Sequence, residues 1–161
     1  MPAPDEYTPE EWSALTAAPM MAGMLITTAD ISGPVGLVQE ASAIARATIE
    51  EGGRSSSMIV KTIAADLRAN KPPAPDLPKD RAAAQAALID RCKHAAAIVA
   101  EKAPDQTDAF KNWLVEVADK TAHASKEGGF LGFGGTRVST GERTALDALR
   151  SALGLAPAAP S

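Results

Sequence analysis

The chain has 161 residues, a formal net charge of −4 and a hydrophobic fraction of 45%, with aromatics at only 4% and a single cysteine. That length suits one well-buried core and is short for two, and an acidic balance without a long Lys/Arg run excludes general attraction to nucleic-acid backbones. One cysteine excludes an intrachain disulfide and a multi-thiolate metal site, and an alanine-rich composition poor in strand formers makes the class all-α.

Residues 1–7 read as an acidic N-terminal extension without the basic-then-apolar order of a secretory leader, so a reducing cytoplasm is the expected location. A single helical domain is expected over 8–155. Thr8 and Glu11 form a capping box, Pro9 takes the first helical position and Tyr7 is placed to staple onto Trp12. Trp12, Leu15, Thr16, Pro19 and Gly23 share one side of this first helix, which stops near Asp30. The apolar run Ala17 to Ile26 is about half the ~20 residues a membrane span needs, and is core. A second helix runs to about Glu51, with Val38, Ala41, Ala45 and Ile49 at helical spacing. A third, Ser56 to about Asn70, carries Ile59, Ile63 and Leu67 on one face.

The prolines of "NKPPAPDLPKD" predict an extended connection over 71–78, a strap across one bundle rather than a boundary between two domains. Beyond it a long helix, about Pro78 to Lys102, aligns Leu88, Cys92, Ala95 and Val99, which makes Cys92 a small buried apolar residue. The fifth helix starts at "APDQTD" and shows Phe110, Trp113, Leu114, Val117 and Thr121 on one face, the strongest periodicity in the chain. A second capping box, Ser139 with Glu142, opens a sixth helix whose stripe is Leu146, Leu149 and Leu153, and 156–161 form a disordered tail. The expected architecture is a six-helix bundle of antiparallel pairs.

The glycine-rich segment 128–138 invites comparison with phosphate loops. Gly129, Gly134 and Thr136 fit the Walker pattern, but Gly135 stands where its lysine belongs, and Arg137 takes the third glycine position of a dinucleotide fingerprint. A structural reading accounts for more of the residues: Gly128 or Gly129 ends the fifth helix, and "FLGF-GG-TRV" forms a small hairpin about Gly134 and Gly135. Phe130 and Arg137 remain on its outer side.

Met20, Met21 and Met24 resemble a soft-metal set but read as gap-filling core. His94 and Cys92 point roughly 200° apart on a helix and cannot share a metal. No catalytic constellation is present, and no cofactor is expected.

The segment "EEWSALTAAPMMAGMLITTADISGPVGLVQEA" together with "KEGGFLGFGGTRVSTGERTALDALRSALG" resembles a family of uncharacterised helical bacterial proteins, which implies a bacterial cytoplasmic origin and no known activity. The chain is also similar to tellurite-resistance TerB-like helical domains, whose helix pairs meet at an Ala-Asp-Gly turn followed by a capping Glu. Ala29, Asp30, Gly33 and Glu40 match one such junction; Glu127, Gly128, Ser139 and Glu142 match a second, with Glu for Asp and the hairpin inserted. That likeness implies a divalent-cation role for Asp30, Glu40 and Glu127.

Three functions are thus expected from the sequence. The first is a non-enzymatic module for protein interaction or self-association, docking through Phe130, Phe133 and Arg137. The second is a binding protein for a small hydrophobic ligand, with a cavity lined by Met20, Met24, Trp113 and Leu114. The third is the acid-lined cation site. Nucleic acid and membrane insertion are not expected.

Overall fold

The structure is a computed structural model that describes residues 5–29, 36–72, 75–127 and 140–156, with side chains for all of these except 36–40 and 124–127. The predicted hairpin and most of the C-terminal tail lie outside the described residues. Within them the chain is all-helical: α1 Pro9–Ala29, α2 Gly36–Arg54, α3 Met58–Ala69, α4 Arg81–Lys102, a 3-10 turn Pro104–Gln106, α5 Thr107–Glu127 and α6 Thr140–Ala152.

Local chemistry sets several of the described helix ends. The capping box at α1 is reciprocal: Thr8 N donates to Glu11 Oε2 at 2.8 Å, and Glu11 N donates to Thr8 Oγ1 at 3.1 Å. Tyr7 packs on Trp12 with ring centroids 5.8 Å apart. Ser57 and Asp80 cap α3 and α4, so these helices begin at Met58 and Arg81, slightly later than periodicity alone places them. Helix α6 ends in a Schellman motif, where Leu155 N donates to Arg150 O, Gly154 N donates to Ser151 O, and Gly154 takes φ 71°.

The hydrophobic core draws on every helix and on both sides of the Pro-rich connection. Helix α1 packs on α4 and α5, α2 on α5 and α3, and α6 on α1 and α5. The stripes of α4 (Leu88, Cys92, Ala95, Val99) and α5 (Phe110, Trp113, Leu114, Val117, Thr121) are buried throughout. In the connection, Leu77 packs against the core and the Asp76 carbonyl accepts from Arg91 Nη2 at 2.9 Å.

Gly23 and Gly141 allow close approach of backbone or helix faces. A Cβ built on Gly23 would lie 2.5 Å from Ile44 Cγ1, so α1 and α2 meet there without a side chain between them. One built on Gly141 would lie 2.7 Å from the Ala29 carbonyl oxygen, which puts the start of α6 against the end of α1.

Helix α2 departs from the sequence reading. Among its described side chains Ile44, Ala47 and Thr48 are buried, whereas Ala41 and Ala45 are exposed and Ile49 is only half-buried; the side chain of Val38, the first of the expected stripe, lies outside the described residues. The physical reason is the double contact of α2: Ile44 fills the space over Gly23, and Gly52 lets α2 settle against Ala64 and the Trp113 indole. These contacts rotate the helix and leave its alanine stripe outside the core.

Candidate functional site

The alanine stripe does not simply face solvent. Ala41, Ala45 and Ile49 form one wall of a groove of about 440 Å³, with Pro19 and Met20 of α1 opposite and Leu67 and Pro72 at one end. The lining is mostly apolar, with Thr16, Ser42, Thr48 and Lys71 contributing polar groups. Its size falls within the range of small-molecule sites, and its small alanine side chains leave the space that larger residues would fill.

A second compartment of about 330 Å³ adjoins it and shares Thr16, Leu67, Lys71 and Pro72. Here the chemistry is different. Trp12 Nε1 donates to Asp66 Oδ2 at 2.7 Å, and Asn70 Nδ2 donates to Asp66 Oδ1 at 2.7 Å. Asp66 is 6% exposed. Burial pushes its carboxyl upward, but side-chain hydrogen bonds, those from Asn70 and Trp12 first among them, hold it below the usual aspartate range. The carboxylate is therefore ionised at neutral pH in a largely enclosed place.

A third, polar pocket of about 300 Å³ opens between the end of α2 and α5, lined by Glu51, Arg54, Asn112 and Glu116 among others. Glu51 pairs with Arg54 at 3.4 Å and with Lys120 at 3.7 Å. Desolvation and the neighbouring Glu51 raise the Glu116 carboxyl.

The sequence-predicted site residues fall in different places. Met20 lines the apolar groove; Trp113 lies in the core, edges the polar pocket and donates its Nε1 to the Thr48 carbonyl at 3.3 Å. Leu114 is fully buried and Met24 packs against the core from a half-buried position. Phe130, Phe133, Arg137 and Asp30 lie outside the described residues, as do the side chains of Glu40 and Glu127. Among the described residues no group of three or more His, Cys, Asp or Glu converges. Cys92 is buried against Ala18, and burial pushes its thiol up to about 12. Trp12, Asp66 and Asn70 are not legible as a cluster in the sequence, since 54 residues separate Trp12 from Asp66. The one clue in the sequence is the acid at Asp66 within the apolar register of α3.

No described helix is long and apolar enough to cross a membrane. Comparison of the chain with protein-family models, with curated proteins and with solved structures finds no match.

Proposed function

We propose that this chain is a non-enzymatic binding protein for a small hydrophobic molecule, which it holds in the groove between α1, α2 and the end of α3. The observation that carries this reading is the apolar stripe Ala41, Ala45 and Ile49, left out of the core and set across about 440 Å³ from Pro19, Met20 and Leu67. Apolar surface in that position gains about 25 cal/mol for each Å² that a ligand takes out of water. Met20 adds a flexible, polarizable side chain that can follow ligands of different shape. The frame we propose for the site is a six-helix bundle of antiparallel pairs, supported by the short connections at residues 55–57 and 103–106.

Isothermal titration with 1-octanol, an uncharged eight-carbon probe, tests the reading. One site per chain, together with a rise in melting temperature that grows with octanol concentration, is expected. The same titration of Ala45→Trp, a substitution at an exposed position that fills the groove, is expected to show neither. No heat and no thermal shift with the unaltered chain would overturn the proposal.

A further inference from the structure

We infer that the groove's ligand is an anionic amphiphile, an aliphatic carboxylate whose chain lies against Ala41, Ala45 and Ile49 and whose head group pairs with the Lys71 ammonium. This rests on the groove being a ligand site and names the class of molecule it takes.

Among the described residues that line the groove, Lys71 is the one charged side chain; the rest are apolar or carry hydroxyls. Two of those hydroxyls spend their hydrogens locally. Thr16 Oγ1 donates to the Ser13 carbonyl at 3.2 Å, and Thr48 Oγ1 donates to the Ile44 carbonyl at 2.7 Å. Lys71 brings three N–H donors and no acceptor, and among the described residues no ion pair holds it. The polar end of a molecule in this groove therefore meets donors and a positive charge, which suit an oxygen anion. One ammonium matches one negative charge, so the head group is a carboxylate.

The setting of that charge suits an amphiphile as well. Lys71 is exposed, on irregular chain just past α3. A lysine stem can follow apolar surface while its ammonium stays in water. The carboxylate then pairs with it at the solvent boundary, and neither ion meets the desolvation that makes buried pairs costly.

Asp66 does not cancel this charge. It lines the adjoining compartment and not the groove. Its oxygens accept from Trp12 Nε1 and Asn70 Nδ2, each at 2.7 Å, and it has a further partner besides these. The chain's own N-terminal ammonium also contributes to holding its carboxyl low. That carboxylate is engaged within the protein, which leaves Lys71 as the charge a ligand in the groove meets.

A chain-matched series decides the matter at pH 7 and low ionic strength, with octanoate, 1-octanol and octylamine titrated calorimetrically into the unaltered protein. Octanoate is expected to bind about tenfold tighter than octylamine, attraction to Lys71 in the one and repulsion in the other each supplying about threefold, as exposed ion pairs do. The affinity of 1-octanol is expected to fall between them. In Lys71→Gln, a change at an exposed position outside the helices, the order by charge is expected to vanish while 1-octanol binds as before. It is also expected to close in about 1 M salt, where the Debye length falls to about 3 Å. Equal binding of octanoate and octylamine, tighter binding of octylamine, or a preference that survives Lys71→Gln would overturn the charge assignment and leave the groove reading standing. Failure of all three to bind would overturn the groove reading itself.

Discussion

The Trp12 indole donates to the Asp66 carboxylate at 2.7 Å and so fastens the first turn of α1 to the last turn of α3, across 54 residues of chain. An ionised aspartate this enclosed persists only because donors surround it. Trp12→Phe keeps an aromatic side chain but removes one of those donors, at a cost of about 1–3 kcal/mol at neutral pH. The sign of the pH dependence follows from the lowered carboxyl. Its stabilising contribution is complete above the unfolded aspartate value, about 3.9, and is lost as pH falls from there through the lower folded value. The difference between Trp12→Phe and the unaltered chain in urea melts is therefore expected to be largest near pH 7 and to shrink below about pH 4. A difference independent of pH would mean that the loss is packing alone.

Gly23 and Gly53 are both helical glycines with opposite expected responses to alanine. A Cβ at Gly53 meets nothing within 4 Å, so Gly53→Ala gains about 0.5–1 kcal/mol of helix propensity. At Gly23 it meets Ile44 Cγ1 at 2.5 Å and Cγ2 at 2.7 Å, atoms of a β-branched, buried side chain with little freedom to turn away. Overpacking there costs about 1–3 kcal/mol and outweighs the propensity gain. Chemical denaturation of Gly23→Ala, Ile44→Val and the double variant is expected to show coupling, with the second change recovering part of the first loss.

How much of this is legible in the sequence depends on how local each cause is. The Thr8 and Glu11 box joins residues three apart, and the α5 stripe repeats within one helix; both can be read directly, and the structure contains both. The face that α2 turns inward cannot, because alanine occupies several of its sides and only contacts with Gly23, Ala64 and Trp113 choose between them. Those contacts come from three other helices. The groove is the consequence of that choice and is hidden for the same reason, although the sequence does point to Met20 on its wall. Gln106 is hidden likewise: it belongs to the 3-10 turn before α5 yet serves α3, 47 residues earlier.

That remote cap can be tested. Gln106 Oε1 accepts from Ser57 Oγ at 2.9 Å and from Ile59 N at 2.9 Å, satisfying one of the backbone donors that the start of α3 leaves open. Gln106→Ala removes the acceptor and is expected to cost about 1–2 kcal/mol, as loss of a helix cap does. Gln106→Glu keeps an oxygen in place and adds a negative charge near a helix N-terminus, so it is expected to be neutral or mildly stabilising. Hydrogen exchange at the Ile59 amide should quicken in the first variant and not in the second.

Cys92 has no exposed surface, and its thiol is pushed up to about 12 by burial. The thiolate that reacts with electrophiles is then scarce and out of reach. Iodoacetamide at pH 8 is expected to leave the native chain unlabelled over hours and to label it promptly in denaturing urea. Native-state labelling at the rate of a free thiol would show that the α1–α4 contact opens readily.

The position of the α2 stripe yields the sharpest contrast in stability. If Ala45 belonged to the core, a polar side chain there would bury an unpaired group at about 1–3 kcal/mol. It lies exposed on the groove wall instead, so Ala45→Gln is expected to change stability by no more than about 0.5 kcal/mol. Ile44, one residue earlier and buried over Gly23, is expected to cost about 2–5 kcal/mol on truncation to alanine. Urea denaturation of the two single variants separates the faces directly. A large loss at Ala45 with a small one at Ile44 would place the stripe in the core and remove the wall on which the binding proposal stands.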